Sequence, residues 1–183
     1  MSDDYLIRNC APTLAGIKTA SLFACPCNCP RQLFQAVAQL NRRLKPKGLR
    51  ALPLRTSANK ALIYVYRPRR LAQDLTDALA AELLRQQGYL PGSCQQTLVQ
   101  MIRRLRQSGE FPHEIGLFLG YPPEDVQGFI TQGPDCCKCS GCWKVYGNED
   151  QARKKFAQYK KCTQIYCRLW AAGSSVERLT VAG

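Results

Sequence analysis

The chain contains a single histidine, His113, and lacks the short motifs that bind nucleotides or build common hydrolase sites. The patterns G-x-x-x-x-G-K-[ST], G-x-G-x-x-G, G-x-S-x-G and H-E-x-x-H are all missing. One histidine excludes a catalytic metal centre built from several imidazoles. Any metal would therefore be held mainly by sulfur or carboxylate, and hydrolase chemistry is not expected.

Long apolar runs are missing as well. No stretch approaches the roughly 20 apolar residues of a membrane span, and the first residues, MSDDYLIRNC, lack an apolar segment behind a basic start. We therefore expect a soluble cytoplasmic protein with no membrane partner. In a reducing cytosol the eleven cysteines should be thiols or metal ligands, because disulfides are rare there.

Acidic residues are scarce relative to basic ones. The 26 Lys and Arg residues outnumber the 13 Asp and Glu residues, which gives a formal charge of +13. Such a surface attracts polyanions, so RNA or DNA is one expected partner class, although a solvated rim of several helices also explains the charge. The candidate anion-binding residues are Arg67, Arg69, Arg70, Arg103, Arg104 and Arg106.

The N-terminal half predicts a small sheet with helices packed on it. Residues 20–25 suit a strand, and Leu33, Val37, Leu40 and Leu44 form an apolar stripe on a helix at 31–45. The runs 49–55 and 61–67 predict a hairpin joined by residues 56–60, with Pro53 marking an edge strand. A helix at 70–87 should end at Gly88.

The C-terminal half predicts helices around a cysteine-rich loop at 133–143. One helix is expected at 94–107, two shorter ones on either side of residues 120–123, and a long one at 148–171. With 45% hydrophobic residues, 183 residues suit a single α+β domain. We expect its sheet, antiparallel or mixed, in a sub-layer at 1–90 and a mainly helical sub-layer at 91–183.

Four long segments of the chain resemble one known family. NCAPTLAGIKTASLF at 9–23, LNRRLKPKGLR at 40–50, FPHEIGLFLGYPPEDVQGFI at 111–130 and CWKVYGNEDQARKKFAQYKKCTQIY at 142–166 are similar to the bacterial family catalogued as domain of unknown function 3793. The resemblance covers nearly the whole chain. It implies a protein of mostly anaerobic bacteria with no established activity, and the CPCNCP stretch at 25–30 is not part of that resemblance.

The densest chemical signal is the C-x-x-C pair Cys139 and Cys142, with Cys162 on the following helix. A C-x-x-C turn can hold one zinc ion, or one iron of a cluster, between two sulfurs. We predict Cys139, Cys142 and Cys162 as ligands of zinc or an iron–sulfur cluster. The fourth ligand is left open among Cys136, Cys137, Cys10 and His113.

Two other interpretations of these thiols stay open. The cysteines could be ordinary buried residues, or Cys139 and Cys142 could act as a redox dithiol with a partner protein. A second cluster, Cys25, Cys27 and Cys29, could converge on a soft metal if the chain is extended there. Cys10 could also begin a short helix as a reactive thiolate, or simply be buried.

Residues 112–130 offer an alternative function, because their spacing is that of a helix-turn-helix. Gly116, the turn at Gly120 and the packing position Val126 fit that motif. The helix that would enter the groove begins with Glu124 and Asp125, which would repel phosphate. The leading expectation is therefore a thiolate metal or cluster protein, and the alternative is a basic nucleic-acid-binding module whose cysteines only pack.

Overall fold

The computed structural model describes residues 2–57, 59–107 and 111–183. The helices are α1 (Asp3–Leu14), α2 (Pro30–Leu44), α3 (Pro68–Asp74), α4 (Ala78–Gln86), α5 (Cys94–Gln107), α6 (Ile115–Phe118), α7 (Pro123–Gln132), α8 (Glu149–Ala171) and α9 (Val176–Leu179). The strands are β1 (Ala20–Pro26), β2 (Arg50–Ser57), β3 (Lys60–Tyr66), β4 (Cys139–Ser140) and β5 (Lys144–Val145). The predicted α+β class is confirmed.

The larger sheet has three antiparallel strands in the order β1-β3-β2. Tyr66 of β3 pairs with Ala20 on one side and with Arg50 on the other. Since β2 lies at the edge, the prediction from Pro53 is confirmed: a proline cannot donate to a second neighbour. A bulge between Pro53 and Arg55 shifts the register there. Of the predicted loop at 56–60, Ala58 lies outside the described residues.

Helix α2 covers this sheet with the apolar stripe that its sequence predicts. Leu33, Val37, Leu40 and Leu44 are each at most 4% exposed and belong to one apolar core. Asn41 on the same helix fixes the contact, because its side chain donates to Ala51 O and accepts from Ala51 N, both at 2.8 Å. The helix is therefore tied to the start of β2 by both packing and hydrogen bonds.

Two predicted helices differ from the structure. The helix expected at 70–87 is two helices, because Thr76 donates to Gln73 O and Asp77 accepts from Ala80 N as the N-cap of α4. Gly88 follows α4 with φ +79°, as expected for a C-terminal glycine. The short helix expected to begin at Cys10 is wrong, since Cys10 lies inside α1 and is completely buried.

The structure divides the chain into two compact units. Unit 1 comprises the residues up to Arg70 together with Tyr159–Gly183, and unit 2 comprises Leu71–Gln158. This boundary differs from the 90/91 division of the predicted sub-layers, and the single-domain organisation stays a prediction. Within the described ranges, no helix combines the length and apolar character needed to cross a bilayer.

Candidate functional site

The C-x-x-C pair lies on a small hairpin in unit 2, formed by β4 and β5. Cys139 pairs with Val145, and Ser140 pairs with Lys144. The amide of Gly141 donates to the carbonyl of Trp143 at 3.0 Å. The segment from Cys139 to Cys142 therefore runs along one strand and into the turn. We call residues 136–147 the cysteine hairpin.

Gly141 allows the turn of the cysteine hairpin to pack closely against helix α8. A Cβ atom at Gly141 would overlap the ring of Phe156. The same ring meets Trp143 edge to face, with 4.5 Å between the ring centroids. The turn thus lies directly on an aromatic side chain, and any larger residue at position 141 would push it away.

Asp125 holds the other side of the cysteine hairpin. It is 2% exposed, and its Oδ1 accepts from the amides of Tyr146 and Gly147, both at 2.7 Å. Its Oδ2 accepts from Trp143 Nε1 at 2.7 Å. The carboxylate therefore satisfies three donors of the hairpin from the first turn of α7. Sequence reasoning assigned Asp125 only to the helix N-terminus, because a short polar residue there gives no signal of a distant partner.

Further contacts fix the ends of the cysteine hairpin. A Cβ at Gly128 of α7 would overlap Tyr146, so helix and hairpin are in close contact. The hydroxyl of Tyr146 donates to Gly133 O at 2.5 Å, and Lys138 Nζ donates to Gly147 O at 2.7 Å. The hairpin is consequently held by buried and backbone contacts at several points.

The cysteines of this hairpin lie outside the apolar core. Cys136 and Cys142 are exposed, while Cys137 and Cys139 are partly buried. Desolvation raises the pKa of the Cys139 thiol, and the Glu149 carboxylate raises it further, whereas Arg153 opposes both. A thiol with a raised pKa is mostly protonated near neutral pH, which is the wrong state for a redox nucleophile.

The third predicted ligand, Cys162, is placed on α8 in unit 1, whereas Cys139 and Cys142 belong to unit 2. Cys162 is partly buried, and burial raises its pKa. Across the part of the chain that the structure describes, no group of three or more Cys, His, Asp or Glu side chains could hold a metal ion as placed. The three-sulfur site stays a prediction.

Two candidates for the fourth ligand differ strongly in access. Cys10 is 0% exposed, and burial raises its pKa to about 12. The expectation of a reactive thiolate at Cys10 is therefore wrong, because the core stabilises the neutral thiol. His113 is exposed in the turn before α6 and meets Phe129 edge to face at 4.8 Å.

The second thiol cluster is divided between core and surface. Cys25 and Cys27 are 2% and 6% exposed and form part of the apolar core of unit 1. Cys29 is partly buried at the N-cap position of α2. The structure thus places two of these three thiols among hydrocarbon side chains, and a metal site at this cluster stays a prediction.

One member of the predicted anion-binding set has a different role. Arg67 is 5% exposed and donates to the carbonyls of Thr13, Leu14 and Val181 at 2.7–2.8 Å. Arg67 therefore binds backbone carbonyls in the interior, and its assignment to surface anion binding is wrong. The remaining candidates are placed as follows: Arg70 donates to Gly16 O, Arg104 pairs with Glu114 at 3.0 Å, and Arg69, Arg103 and Arg106 are exposed.

In the segment predicted as a helix-turn-helix, the first helix is short. Helix α6 has four residues, and Gly116 packs so closely on α7 that a Cβ would lie 2.8 Å from Val126 Cγ2. Gly120 forms the turn with φ +71°. Helix α7 contains no lysine or arginine and gives part of its surface to the cysteine hairpin. It therefore lacks the cations that a groove-binding helix uses.

Comparison with known protein families gives a match over nearly the whole chain. A family model described as "Protein of unknown function (DUF3793)" matches residues 6–180. No curated protein and no solved structure matches the chain.

Proposed function

Since the chain belongs to the DUF3793 family, whose description states no activity, we propose from its own residues that it binds a soft metal ion through cysteine thiolates. The ion is zinc or the iron of an iron–sulfur cluster. Cys139 and Cys142 are the first two ligands, and Cys136 or Cys137 adds a third from the same hairpin. The expected setting is the reducing cytosol of an anaerobic bacterium.

One observation carries this proposal: the hairpin is tightly held, yet its four cysteines take no part in the core. Cys10, Cys25 and Cys27 show what cysteines used only for packing look like in this chain, because each is at most 6% exposed. The cysteines at 136–142 are exposed or partly buried instead. A fixed backbone carrying accessible thiols is the arrangement that a metal-binding turn requires.

The ligands have to turn slightly to share one ion. A cysteine sulfur is separated from the backbone by one rotatable bond, so exposed Cys136 and Cys142 can change rotamer without moving the hairpin. Binding then fixes the thiols as thiolates and releases protons, because a coordinated thiol is deprotonated outright. The nearby Arg153, whose charge opposes the rise in the pKa of Cys139, would offset part of the added negative charge.

Purification without oxygen tests the proposal most directly. Near-stoichiometric zinc would identify a zinc site, and iron with acid-labile sulfide and visible absorbance would identify a cluster. Addition of cobalt(II) to the metal-free, reduced protein should produce thiolate-to-cobalt charge-transfer absorption. The proposal is overturned if the reduced protein neither contains metal nor takes up zinc or cobalt.

Serine variants assign the ligands. Cys139→Ser and Cys142→Ser should each lose most of the bound metal, whereas Cys94→Ser, a partly buried thiol on α5, should keep it. Cys162→Ser decides whether the predicted ligand in unit 1 takes part. Far-ultraviolet circular dichroism of each metal-free variant separates loss of a ligand from loss of the fold. Retention of metal by both hairpin variants would contradict the assignment.

A further inference from the structure

A cavity of about 270 Å³ lies in unit 2 beside the cysteine hairpin. Helices α6 and α7 and strand β5 contribute its walls, and most of the lining side chains are apolar. Four of them are aromatic: Phe111, Tyr121, Phe129 and Trp143. The cysteines proposed as metal ligands do not line this cavity, so it carries a separate proposal.

The aromatic walls are held in place by their own contacts. Trp143 is 7% exposed and donates from Nε1 to Asp125. Its ring is stacked on Tyr121 at 5.0 Å, with an angle of 27° between the planes. Gly116 lets α6 approach α7 closely, because a methyl group there would lie 2.8 Å from Val126 Cγ2 and 3.1 Å from Tyr121 Cδ2. The cavity is therefore largely preformed, which lowers the cost of binding a ligand.

Its size limits the ligand. An apolar protein cavity of about 150 Å³ accepts a benzene molecule, so about 270 Å³ suits one ring with a substituent or two fused rings. Flat rings are favoured because aromatic side chains pack best against an aromatic partner in stacked or edge-to-face geometry. A bulky aliphatic group of equal volume would gain less from these walls.

The polar groups around the cavity indicate the charge of the ligand. Lys144 lines it and uses one donor on Pro134 O at 2.7 Å, while an ammonium group has three donors. His113 also lines it and is exposed. Asp125 lines it too, but both of its oxygens already accept hydrogen bonds from the hairpin. The donors left to recognise a ligand are therefore those of the Lys144 ammonium, which favour a strong acceptor such as a carboxylate oxygen.

We propose that this cavity binds a small planar aromatic carboxylate, with its ring against Trp143 and Phe129 and its carboxylate bound by Lys144. A charge-assisted hydrogen bond supplies the specificity for the anion, and burial of the ring supplies most of the affinity. The same site should discriminate against the uncharged amide of equal shape.

Trp143 lines the cavity, so its fluorescence can report ligand binding. The full chain with Trp170→Phe keeps Trp143 as its single tryptophan. Benzoate should change its fluorescence in a saturable way, and benzamide and cyclohexanecarboxylate should bind more weakly. Benzoate should exceed benzamide by about tenfold in affinity, the effect of one hydrogen bond to a charged group. Calorimetry on the unmodified chain provides the second measurement.

Two lysines of the same hairpin form a matched pair. Lys144→Gln should remove the preference for benzoate over benzamide while leaving benzamide binding unchanged. Lys138→Gln should leave both affinities unchanged, because Lys138 donates to Gly147 O and does not line the cavity. The proposal is overturned if benzoate gives no saturable signal at millimolar concentration, if benzamide binds equally well, or if Lys144→Gln keeps the preference.

Discussion

Replacing Asp125 with alanine should loosen the cysteine hairpin, because one carboxylate accepts three of its hydrogen bonds. The donors are the amides of Tyr146 and Gly147 and the indole Nε1 of Trp143, each 2.7 Å from an Asp125 oxygen. Alanine offers none of them an acceptor. Since Asp125 is 2% exposed, water cannot take over without opening the structure.

The expected loss follows from the number of orphaned donors. A buried donor without a partner costs about 1–3 kcal/mol, and such costs are not strictly additive. Asp125→Ala should therefore lower the free energy of unfolding by about 3–5 kcal/mol, a large part of the 5–15 kcal/mol typical of a domain. Asp125→Asn keeps an oxygen for the two amides but turns its NH₂ group toward Trp143, so about 1–3 kcal/mol is expected.

Urea unfolding followed by Trp143 fluorescence in the Trp170→Phe background measures both losses. Asp135→Ala is the matched control, because Asp135 is exposed in the turn just before the hairpin. It should change stability by no more than about 0.5 kcal/mol. A loss below about 1 kcal/mol for Asp125→Ala would refute the reasoning, since three buried donors cannot lose their acceptor so cheaply.

Two further predictions concern unit 1. Above pH 9, the buried thiol of Cys10 should destabilise the protein, because the unfolded thiol ionises near pH 9 and the folded one only near 12. One such group lowers the free energy of unfolding by about 1.4 kcal/mol per pH unit in that window. Cys10→Ala should therefore make the urea-unfolding midpoint fall less steeply as the pH rises, whereas Cys136→Ala, at an exposed position, should not. Arg67→Lys should lower the free energy of unfolding by about 2–4 kcal/mol, because an ammonium group cannot donate to the three backbone carbonyls in the geometry of the planar guanidinium. Arg69→Lys, which changes an exposed side chain, is the control.

Either of these predictions can fail clearly. Equal alkaline slopes for the unmodified chain and Cys10→Ala would mean that the thiol does not stay neutral in the folded core. An Arg67→Lys variant as stable as Arg69→Lys would mean that the carbonyls of Thr13 and Val181 find other donors. Thermal unfolding by circular dichroism is sufficient to detect both outcomes.

The amphipathic elements were predictable because their periodicity is local. Leu33 to Leu44 give a helical stripe, and Pro53 marks an edge strand, without any information from distant residues. The missed helix α1 contains Pro12, which weakens its local signal even though the structure accommodates it. The break between α3 and α4 was hidden because Leu71, Leu75 and Leu79 keep a helical spacing across it. Asp77 begins a new helix there by accepting from Ala80 N.

The candidate site was predictable only in its residue types. The C-x-x-C spacing locates Cys139 and Cys142 in one turn, and the structure gives that turn a supporting frame. The frame itself depends on Asp125, Gly128 and Phe156, whose partners are far along the chain. Likewise, nothing local distinguishes Cys10 in the core from Cys136 on the surface, because burial is decided by the tertiary fold.

The division of the chain has a consequence for the order of folding during synthesis. Leu71–Gln158 is one uninterrupted stretch, whereas the other unit needs both an early and a late segment. Val176 and Leu179 belong to the core beside the three-stranded sheet, and they are synthesised after Leu71–Gln158. The middle of the chain can therefore finish folding first. Until Val176 and Leu179 have been synthesised, part of the apolar surface beside the sheet stays uncovered. A chaperone that binds exposed apolar surface would act during this interval.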